Sequence, residues 1–224
     1  MLDLSNYAIV LDFDGTITQE DSNDLLVHTL GNEKNAEIEI EFCAGRMSNR
    51  EAMEQHFENM HISAREYRNF ISNNINIDKD FDEFLQYVRG RDVPLFVISA
   101  GFRQGIEEVL GEERLRGIQI FTNDLLGEPY ISPRFAYSNP DCRKSFGPCG
   151  NCKQICVDII RDQTNRKVIF AGDGLTDRCI AEKSELLFAK HDLARYCDEC
   201  NLPYQPYSCF SDVVKFLKGV AGER

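Results

Sequence analysis

The stretch IVLDFDGTITQED, residues 9–21, constrains the fold of this chain more than any other segment. An almost continuous apolar run that starts at Tyr7 ends there in Asp12 and Asp14, and the chain then reaches Gly15. An apolar run of this kind is typical of a strand that is buried on both faces of a sheet. Two carboxylates at its end, followed by a residue that permits a sharp turn, predict a binding site at the edge of that sheet.

Three later segments repeat the strand pattern and predict the fold class. Their sequences are PLFVISA, KVIFAG and LLFAK, which begin at Pro94, Lys167 and Leu186. Apolar residues at helical spacing lie between and after them, for example Phe84 and Val88. Strands that alternate with helices predict an α/β fold with a doubly wound, Rossmann-like parallel sheet.

The interval 21–77 differs from the rest of the chain. It is polar and rich in Glu, Asn and Met, and its apolar residues, such as Met53, Phe57 and Met60, recur at helical spacing. It contains no strand-like run. We therefore predict a small helical cap domain at 21–77, inserted into a Rossmann-like core formed by residues 1–20 and 78–224.

The formal net charge of −12 limits the partners of the chain. Binding to nucleic acid or to an acidic membrane surface depends on basic patches, so we expect neither partner. No apolar run approaches the ~20 residues that a membrane helix needs, and no secretory signal is visible, which predicts a cytoplasmic protein. Composition leaves both a monomer and a homodimer open.

Polar residues follow the strand-like segments at the points where these segments end. Asp12 and Asp14 follow the first, Ser99 lies in the second, and Asp173 follows the third with Asp177 nearby. Ligands of open parallel sheets bind beyond the carboxyl ends of the strands, so these side chains can converge. Carboxylates are preferred ligands of Mg²⁺, and a carboxylate can also attack phosphorus.

Lys153, at the start of the helical pattern KQICVDIIRD, supplies the cation that such chemistry needs. A lysine and a metal ion offset the charge of phosphoryl oxygens, while a serine hydroxyl and backbone N–H groups hold another oxygen. The residues together predict phosphoryl transfer.

Four motifs, DFDGTIT, VISAG, CK and GDGLTD, resemble in this order those of the haloacid dehalogenase-like phosphatases. The resemblance spans nearly the whole chain and implies a Mg²⁺-dependent phosphomonoesterase that acts on a small phosphate ester through an aspartyl-phosphate. It implies that Asp12 is the nucleophile and Asp14 the general acid and base. The metal ligands that it implies are Asp12, Asp14 through its carbonyl, Asp173 and Asp177. The phosphate-binding residues that it implies are Gly15, Thr16, Ser99, Ala100, Gly101 and Lys153.

The helical insertion after the first motif is similar to the cap of the phosphoserine phosphatase-like branch. Members of that branch typically place a glutamate nine residues after the nucleophile and an arginine in the cap. Here these positions are Asp21 and His56, which disfavours phosphoserine because a bidentate clamp for its carboxylate is missing. Together with Arg46, which can draw an anionic substrate under the cap, they are the predicted specificity residues.

The segment CGNCK, Asp21 and the tail from Leu187 to Tyr207 resemble the methionine-salvage 2-hydroxy-3-keto-5-methylthiopentenyl-1-phosphate phosphatases. The cysteine-rich approach to the lysine is also similar to phosphoethanolamine/phosphocholine and pyridoxal phosphatases. The substrate therefore stays open among these small esters and phosphoserine. A phosphomutase with the same intermediate and a non-catalytic zinc-binding module are further alternatives.

Nine cysteines are many for a cytoplasmic protein. Two CxxC pairs, CGNC and CDEC, have spacings compatible with a tetrahedral zinc site, and ordinary buried or loop thiols are equally compatible with them. The cysteines concerned are Cys142, Cys149, Cys152, Cys197 and Cys200.

Overall fold

The apolar runs of the sequence form the strands of one sheet in the computed structural model, which describes residues 2–143 and 147–222. In this part of the chain the sheet has seven strands in the order β4-β3-β2-β1-β5-β6-β7. The strands are β1 (Tyr7–Leu11), β2 (Leu95–Phe102), β3 (Ile118–Leu126), β4 (Ser132–Arg134), β5 (Lys167–Gly172), β6 (Leu186–Ala189) and β7 (Gln205–Pro206).

The sheet is parallel except at one edge. β1 lies in the middle and pairs in parallel with β2 on one side and β5 on the other. β4 pairs antiparallel with β3, because a short turn joins the two strands and such a turn cannot connect parallel neighbours. The predicted parallel α/β sheet is confirmed, and β3, β4 and β7 add to the four strands that the sequence predicts.

Helices cover both faces of the sheet and surround its carboxyl edge. Those of the described residues are α1 (Ser22–Leu30), α2 (Glu33–Cys43), α3 (Asn49–Met60), α4 (Ala64–Asn74), α5 (Phe81–Arg89), α6 (Arg103–Leu115), α7 (Lys153–Thr164), α8 (Arg178–Ala181), α9 (His191–Cys200) and α10 (Phe210–Ala221). None of them combines the length and the apolar character that crossing a membrane requires.

Two apolar layers fix the sheet between these helices. Leu11 on one face packs with side chains of α5, α6 and α10, including Phe84 and Phe210. Val10 on the other face packs with side chains of α7, α8 and α9, including Val157 and Leu193. Burial of one large apolar side chain contributes about 1.5–3 kcal/mol to the stability of the folded protein. The two layers therefore hold the strands firmly in place, together with the residues at their ends.

Four helices, α1 to α4, fill the interval that the sequence assigns to the cap. The chain leaves and re-enters the core at neighbouring points, since Thr18 and Ile77 form an antiparallel bridge. α3 and α4 each begin at a serine whose side chain caps the helix while a glutamate three residues on returns a bond to the serine backbone. The boundaries 21–77, 1–20 and 78–224 stay a prediction, and residues 1, 144–146 and 223–224 of the predicted core lie outside the described residues.

The cap helices pack on the core through aromatic side chains. The rings of Phe57 in α3 and Phe102 at the end of β2 meet edge to face with centroids 5.0 Å apart. Tyr67 of α4 lies so close to Gly105 of α6 that a Cβ atom at position 105 would be 2.5 Å from its hydroxyl oxygen. α4 is therefore packed directly against the core.

Candidate active site

The candidate site lies at the carboxyl edge of the sheet, where Asp12 follows β1. The backbone N–H of Asp12 donates to the carbonyl of Ala171 on β5 at 2.9 Å, which extends the pairing of these strands to the edge. Asp173 follows β5, so the pairing also brings the two acidic residues together. Asp12 is only 5% exposed.

Lys153 joins two of the acidic residues in a buried ion-pair network. Its Nζ lies 2.5 Å from Oδ1 of Asp12 and 2.6 Å from Oδ1 of Asp177. Burial alone would lower the pKa of Lys153, but the two carboxylates outweigh burial and raise that pKa above its ordinary value. Lys153 is therefore a permanent cation beside the carboxylate of Asp12.

Asp177 also fixes the loop that carries Asp173. Its Oδ2 accepts hydrogen bonds from the backbone N–H groups of Asp173 at 3.0 Å and Gly174 at 3.1 Å. Both of its oxygens are thus used inside the protein, one by Lys153 and one by the loop. Asp177 thereby orients both Lys153 and the loop of Asp173.

Asp14 points into the site from the turn after β1. Its Oδ1 accepts hydrogen bonds from the backbone N–H of Ser22 at 2.9 Å and from the Ser22 hydroxyl, and its Oδ2 accepts from Ser99 Oγ at 3.2 Å. Burial raises the pKa of Asp14, and the bonds from Ser22 and Ser99 oppose that rise. A carboxyl group with a raised pKa is suited to donating a proton near neutral pH.

The carboxylates form a group that fits a divalent cation. Ligand oxygens of Asp12, Asp173 and Asp177 lie within 4.8 Å of one another. Burial, together with Asp177, raises the pKa of Asp173 to about 6 and that of Asp12 well above its ordinary value, although Lys153 opposes both shifts. One lysine does not balance these carboxylates, and a hard cation with oxygen ligands would restore their ionised forms.

Gly15 explains why the strand breaks where it does. It has φ of +69°, and a Cβ atom at this position would lie 2.3 Å from Oδ2 of Asp173. Only glycine lets the chain pass so close to the acidic group in this conformation. The turn therefore brings Asp14 and Asp173 to the same edge.

The remaining predicted phosphate-binding residues lie at the same edge. Thr16 Oγ1 donates to Oδ1 of Asp173 at 3.1 Å, and the Gly101 N–H donates to Ser99 Oγ at 2.8 Å. Ala100 lines the cavity in front of Asp12. The pairing of β2 with β3 shifts between Ile98 and Phe102, so residues 99–101 leave the regular ladder at the site.

A cavity of about 470 Å³ separates this edge from the cap. Asp12, Asp14 and Asp173 line one side of it, and residues of α1 to α3 line the other. The polar residues of the cap side are Asp21, Asn23, Asp24, Glu39, Asn49 and His56, and the larger apolar ones are Val27, Phe42 and Met53. Among the described residues that line this cavity, none is a lysine or an arginine.

The three predicted specificity residues differ in whether they line the cavity. Asp21 lines the cavity and caps α1 by accepting from the backbone N–H groups of Asn23 and Asp24, both at 3.0 Å. Although Asp21 is exposed as a residue, desolvation of its carboxylate and the charge of Asp14 raise its pKa to about 7. Asp21 therefore faces the cavity, and its role in specificity stays a prediction.

His56 also lines the cavity, whereas Arg46 does not. His56 is 1% exposed and lies in α3. Arg46 follows α2 on the surface and forms two hydrogen bonds with the Glu41 carboxylate, at 2.7 and 2.8 Å. The structure does not bring Arg46 to the site, because its local partner holds it at the surface.

Sequence reasoning missed several residues of the site. Asn151 lies inside the quoted motif CGNCK, and its Nδ2 donates to the carbonyls of Ser99 at 2.7 Å and Phe121 at 2.9 Å. It thus ties the loop before Lys153 to the ends of β2 and β3, and its position next to the lysine motif was the available signal. Asn23 and Glu39, which line the cavity, carry no comparable signal in the sequence.

The two CxxC pairs lie in different surroundings. Cys149 and Cys152 line a small cavity beside Lys153 together with Cys142 and Cys179. Cys197 is buried in the core and Cys200 is exposed at the end of α9, and neither lines that cavity. Among the described residues, the group whose ligand atoms lie within 4.8 Å of one another is the carboxylate group, not a set of thiols. The zinc site built from both pairs is therefore not formed.

Comparison with known proteins places this geometry in context. The model of the family described as "Putative Phosphatase" matches residues 7–194. The chain is 30% identical to the polyol phosphate phosphatase PYP1 of Saccharomyces cerevisiae, and the match covers 97% of this chain and 95% of that protein. It is 28% identical to the 2-hydroxy-3-keto-5-methylthiopentenyl-1-phosphate phosphatase of Bacillus cytotoxicus, with 94% of this chain and 95% of that protein covered.

Solved structures show the same fold at lower identity. A phospho-aspartyl intermediate analogue of phosphoserine phosphatase superposes with a TM-score of 0.67 at 15% identity, covering 93% of this chain and 97% of that one. The phosphoserine phosphatase of T. onnurineus superposes with a TM-score of 0.66 at 16% identity, covering 97% and 98%. The expected resemblance to haloacid dehalogenase-like phosphatases is confirmed.

Proposed function

Because the chain belongs to the "Putative Phosphatase" family and is a phosphatase, we propose that it hydrolyses a small organic phosphate monoester with Mg²⁺ and through an aspartyl-phosphate on Asp12. The observation that carries the proposal is the position of Asp12, held by Lys153 at 2.5 Å. Its carboxylate lies within 4.8 Å of those of Asp173 and Asp177. A nucleophile, a fixed cation and metal ligands are thus assembled at one edge.

Asp12 performs the first chemical step. Lys153 holds Oδ1 of Asp12, which leaves Oδ2 to attack the phosphorus of the ester and form the acyl phosphate bond. The bond from phosphorus to the ester oxygen breaks, and Asp14 donates its proton to the leaving oxygen. Asp12, Asp173 and the Asp14 carbonyl, with Asp177 in support, would hold Mg²⁺, and the bound ion would offset charge on the phosphoryl oxygens.

The second step returns the enzyme to its starting state. Asp14, now ionised, takes a proton from water, and the water oxygen attacks phosphorus and releases inorganic phosphate and the Asp12 carboxylate. Lys153 and the groups of residues 99–101 hold the phosphoryl oxygens in both steps. The cap shields the aspartyl-phosphate from bulk water until this proton transfer is in place.

The lining of the cavity limits the leaving group. With acidic residues and no lysine or arginine in its described lining, the cavity offers no lysine or arginine to pair with a carboxylate. This disfavours phosphoserine and supports an ester whose organic part carries no negative charge. The relatives are named for polyol phosphates and for 2-hydroxy-3-keto-5-methylthiopentenyl-1-phosphate, whose organic parts carry no charge. We keep the latter ester as a candidate substrate.

A cytoplasmic location is part of the proposal. In the described part of the chain the buried residues Cys156 and Cys197 are free thiols, which is typical of proteins in a reducing compartment.

The test is phosphate release from a panel of small esters, with Mg²⁺ and with EDTA. The panel contains glycerol phosphate, 2-hydroxy-3-keto-5-methylthiopentenyl-1-phosphate, phosphocholine, pyridoxal phosphate and phosphoserine. We expect Mg²⁺-dependent release that is strongest for the uncharged organic groups and absent in Asp12→Asn. Isomerised ester without free phosphate would instead indicate a mutase. One tightly held zinc per chain without turnover would indicate a zinc-binding module.

A further inference from the structure

Of the six polar residues that line the cavity from the cap, three have hydrogen-bonding groups that the protein leaves wholly or partly unused. They are Asn23 of α1, Glu39 of α2 and His56 of α3, and each comes from a different helix. We name them the cap triad. Their hydrogen-bonding capacity indicates what part of a substrate they can bind.

Asn23 presents an acceptor that the protein does not use. The residue is 7% exposed, and its buried Oδ1 has no hydrogen-bond partner among the described residues. Its neighbour Ser22 binds the Asp14 carboxylate, so Asn23 lies beside the proposed proton donor of the leaving group. A buried acceptor without a partner is costly, and a substrate group that donates a hydrogen bond would satisfy it.

His56 presents a donor, and its tautomer follows from Asn35. The Oδ1 of Asn35 accepts from the Asn32 N–H at 3.1 Å, which fixes the orientation of the amide. The Asn35 Nδ2 therefore donates to the His56 carbonyl and to Nδ1 of the ring, both at 3.1 Å. Nδ1 is then an acceptor, and the proton of the neutral ring is on Nε2. Burial lowers the pKa of His56, which favours this neutral form.

The protonated Nε2 of His56 makes only a long, weak contact with Glu39. It lies 3.5 Å from Oε2 of Glu39, which is longer than the usual range for such a bond. One hydroxyl group can accept from His56 and donate to Glu39 at the same time. An ammonium group has no lone pair for the His56 N–H, and a carboxylate would be repelled by Glu39.

We propose that the cap triad is a hydroxyl-binding subsite and that the substrate is the phosphate ester of a short, uncharged carbon chain that carries hydroxyl groups. Asn23 accepts from a hydroxyl near the ester oxygen, and Glu39 with His56 binds a hydroxyl further along the chain. This inference rests on the proposed function and identifies the class of leaving group.

The experiment compares two esters of equal chain length, glycerol 1-phosphate and propyl phosphate, in the Mg²⁺-loaded enzyme. The readout is the ratio of their kcat/KM values within one protein preparation, so that partial misfolding cancels. The variants are Asn23→Ala and Glu39→Gln. Glu54→Gln is the matched control, because Glu54 lies on the same cap, is exposed and pairs with Arg50 outside the cavity.

We expect the wild type to prefer glycerol 1-phosphate by at least about tenfold, the size of one good hydrogen bond. Each cap-triad variant should lower this ratio about tenfold, mainly through KM for glycerol 1-phosphate, and Glu54→Gln should keep it. A wild-type ratio near one, variants that keep the wild-type ratio, or better hydrolysis of phosphoethanolamine than of glycerol 1-phosphate would each overturn the subsite. If propyl phosphate is hydrolysed, such results leave the proposed function intact. If neither ester is hydrolysed with Mg²⁺, the result contradicts both the hydroxyl-binding subsite and the proposed function.

Discussion

The two sides of the cavity are built in different ways. On the sheet side, Asp12 and Asp173 follow two paired strands directly, and that pairing brings their carboxylates together, while Asp14 lies in the turn after β1. On the cap side, Asn23, Glu39 and His56 come from three helices, and their positions depend on how these helices pack. Rigid placement is needed where bonds are made, whereas a cap can vary without disturbing that placement.

The charges of the two sides differ as well. The sheet side contains Lys153 within a buried network of acidic residues. The cap side is acidic, with Asp21, Asp24 and Glu39 and no lysine or arginine among its described residues. We infer that the sheet side determines the reaction and the cap side determines the leaving group. The predictions below challenge this division, from the largest expected effect to the smallest.

Replacing Asp12 by Asn should lower kcat by at least about a thousandfold, because the amide cannot attack phosphorus. The substitution keeps the shape of the side chain, so we expect an unchanged circular dichroism spectrum. Asp82→Asn is the control, since Asp82 is exposed on α5 and pairs with Arg114. Comparable losses in both variants would refute a special role for Asp12.

Replacing Lys153 by Met should damage both activity and stability. The substitution leaves Asp12 and Asp177 buried without their cation, which destabilises by about 3–5 kcal/mol, and removes a phosphate partner worth about a hundredfold in kcat. Urea unfolding and steady-state kinetics measure the two effects. Lys167→Met, at an exposed position at the start of β5, should change stability by less than about 0.5 kcal/mol. Equal stability losses would contradict the buried network.

Replacing Gly105 by Ala should weaken the packing of α4 on α6 and lower the free energy of unfolding. The new methyl group would lie 2.5 Å from the Tyr67 hydroxyl oxygen, and such overpacking costs about 1–3 kcal/mol. Adding Tyr67→Phe removes the clashing oxygen and should recover much of the loss. A double-mutant cycle of unfolding free energies measures this coupling, and strictly additive effects would argue against direct packing of α4 on α6.

Replacing Asp21 by Asn should stabilise the metal-free protein at high pH only. The folded-state pKa of Asp21 is raised from the ordinary value of 3.8 to about 7, so its ionised form is disfavoured in the folded protein. The stability that its neutral form provides is fully present below pH 3.8 and is lost as the pH rises through about 7. Asparagine caps a helix equally well and stays neutral.

Melting temperatures from pH 3.5 to 8.5 test the direction of this pH dependence. Asp21→Asn should melt a few degrees above the wild type at pH 8, with the difference vanishing near pH 4. Asp158→Asn, at an exposed position on α7, is the control. A difference that grows toward low pH would contradict desolvation of the Asp21 carboxylate.

Much of the sheet side was predictable from the sequence, because each of its parts is local. The apolar run, Asp12, Asp14 and Gly15 are contiguous, and the rule that ligands bind beyond parallel strands brings them to Asp173. The bond from Thr16 to Asp173 and the role of Asn151 were not predictable, because they depend on the exact approach of two loops.

The cap side was predictable only as a set of helices. Helical spacing identified the cap, yet the same spacing could not show which face of α2 turns Glu39 toward the cavity. Arg46 illustrates the limit. Its charge suggested a substrate contact, but Glu41, five residues earlier, holds it at the surface. The strands β3 and β7 were likewise outside the four strand-like segments of the sequence.

The most direct test of the central claim is to trap the phosphoryl group on the enzyme. The protein is mixed with a hydrolysed ester and Mg²⁺, quenched in acid during turnover and reduced with borohydride, which converts an aspartyl-phosphate to homoserine. Peptide mass spectrometry then locates the modified residue. We predict homoserine at position 12 in the wild type, formed more slowly in Lys153→Met, and its absence in Asp12→Asn. Phosphate release with no modification at position 12, or with modification at another carboxylate, would contradict the account.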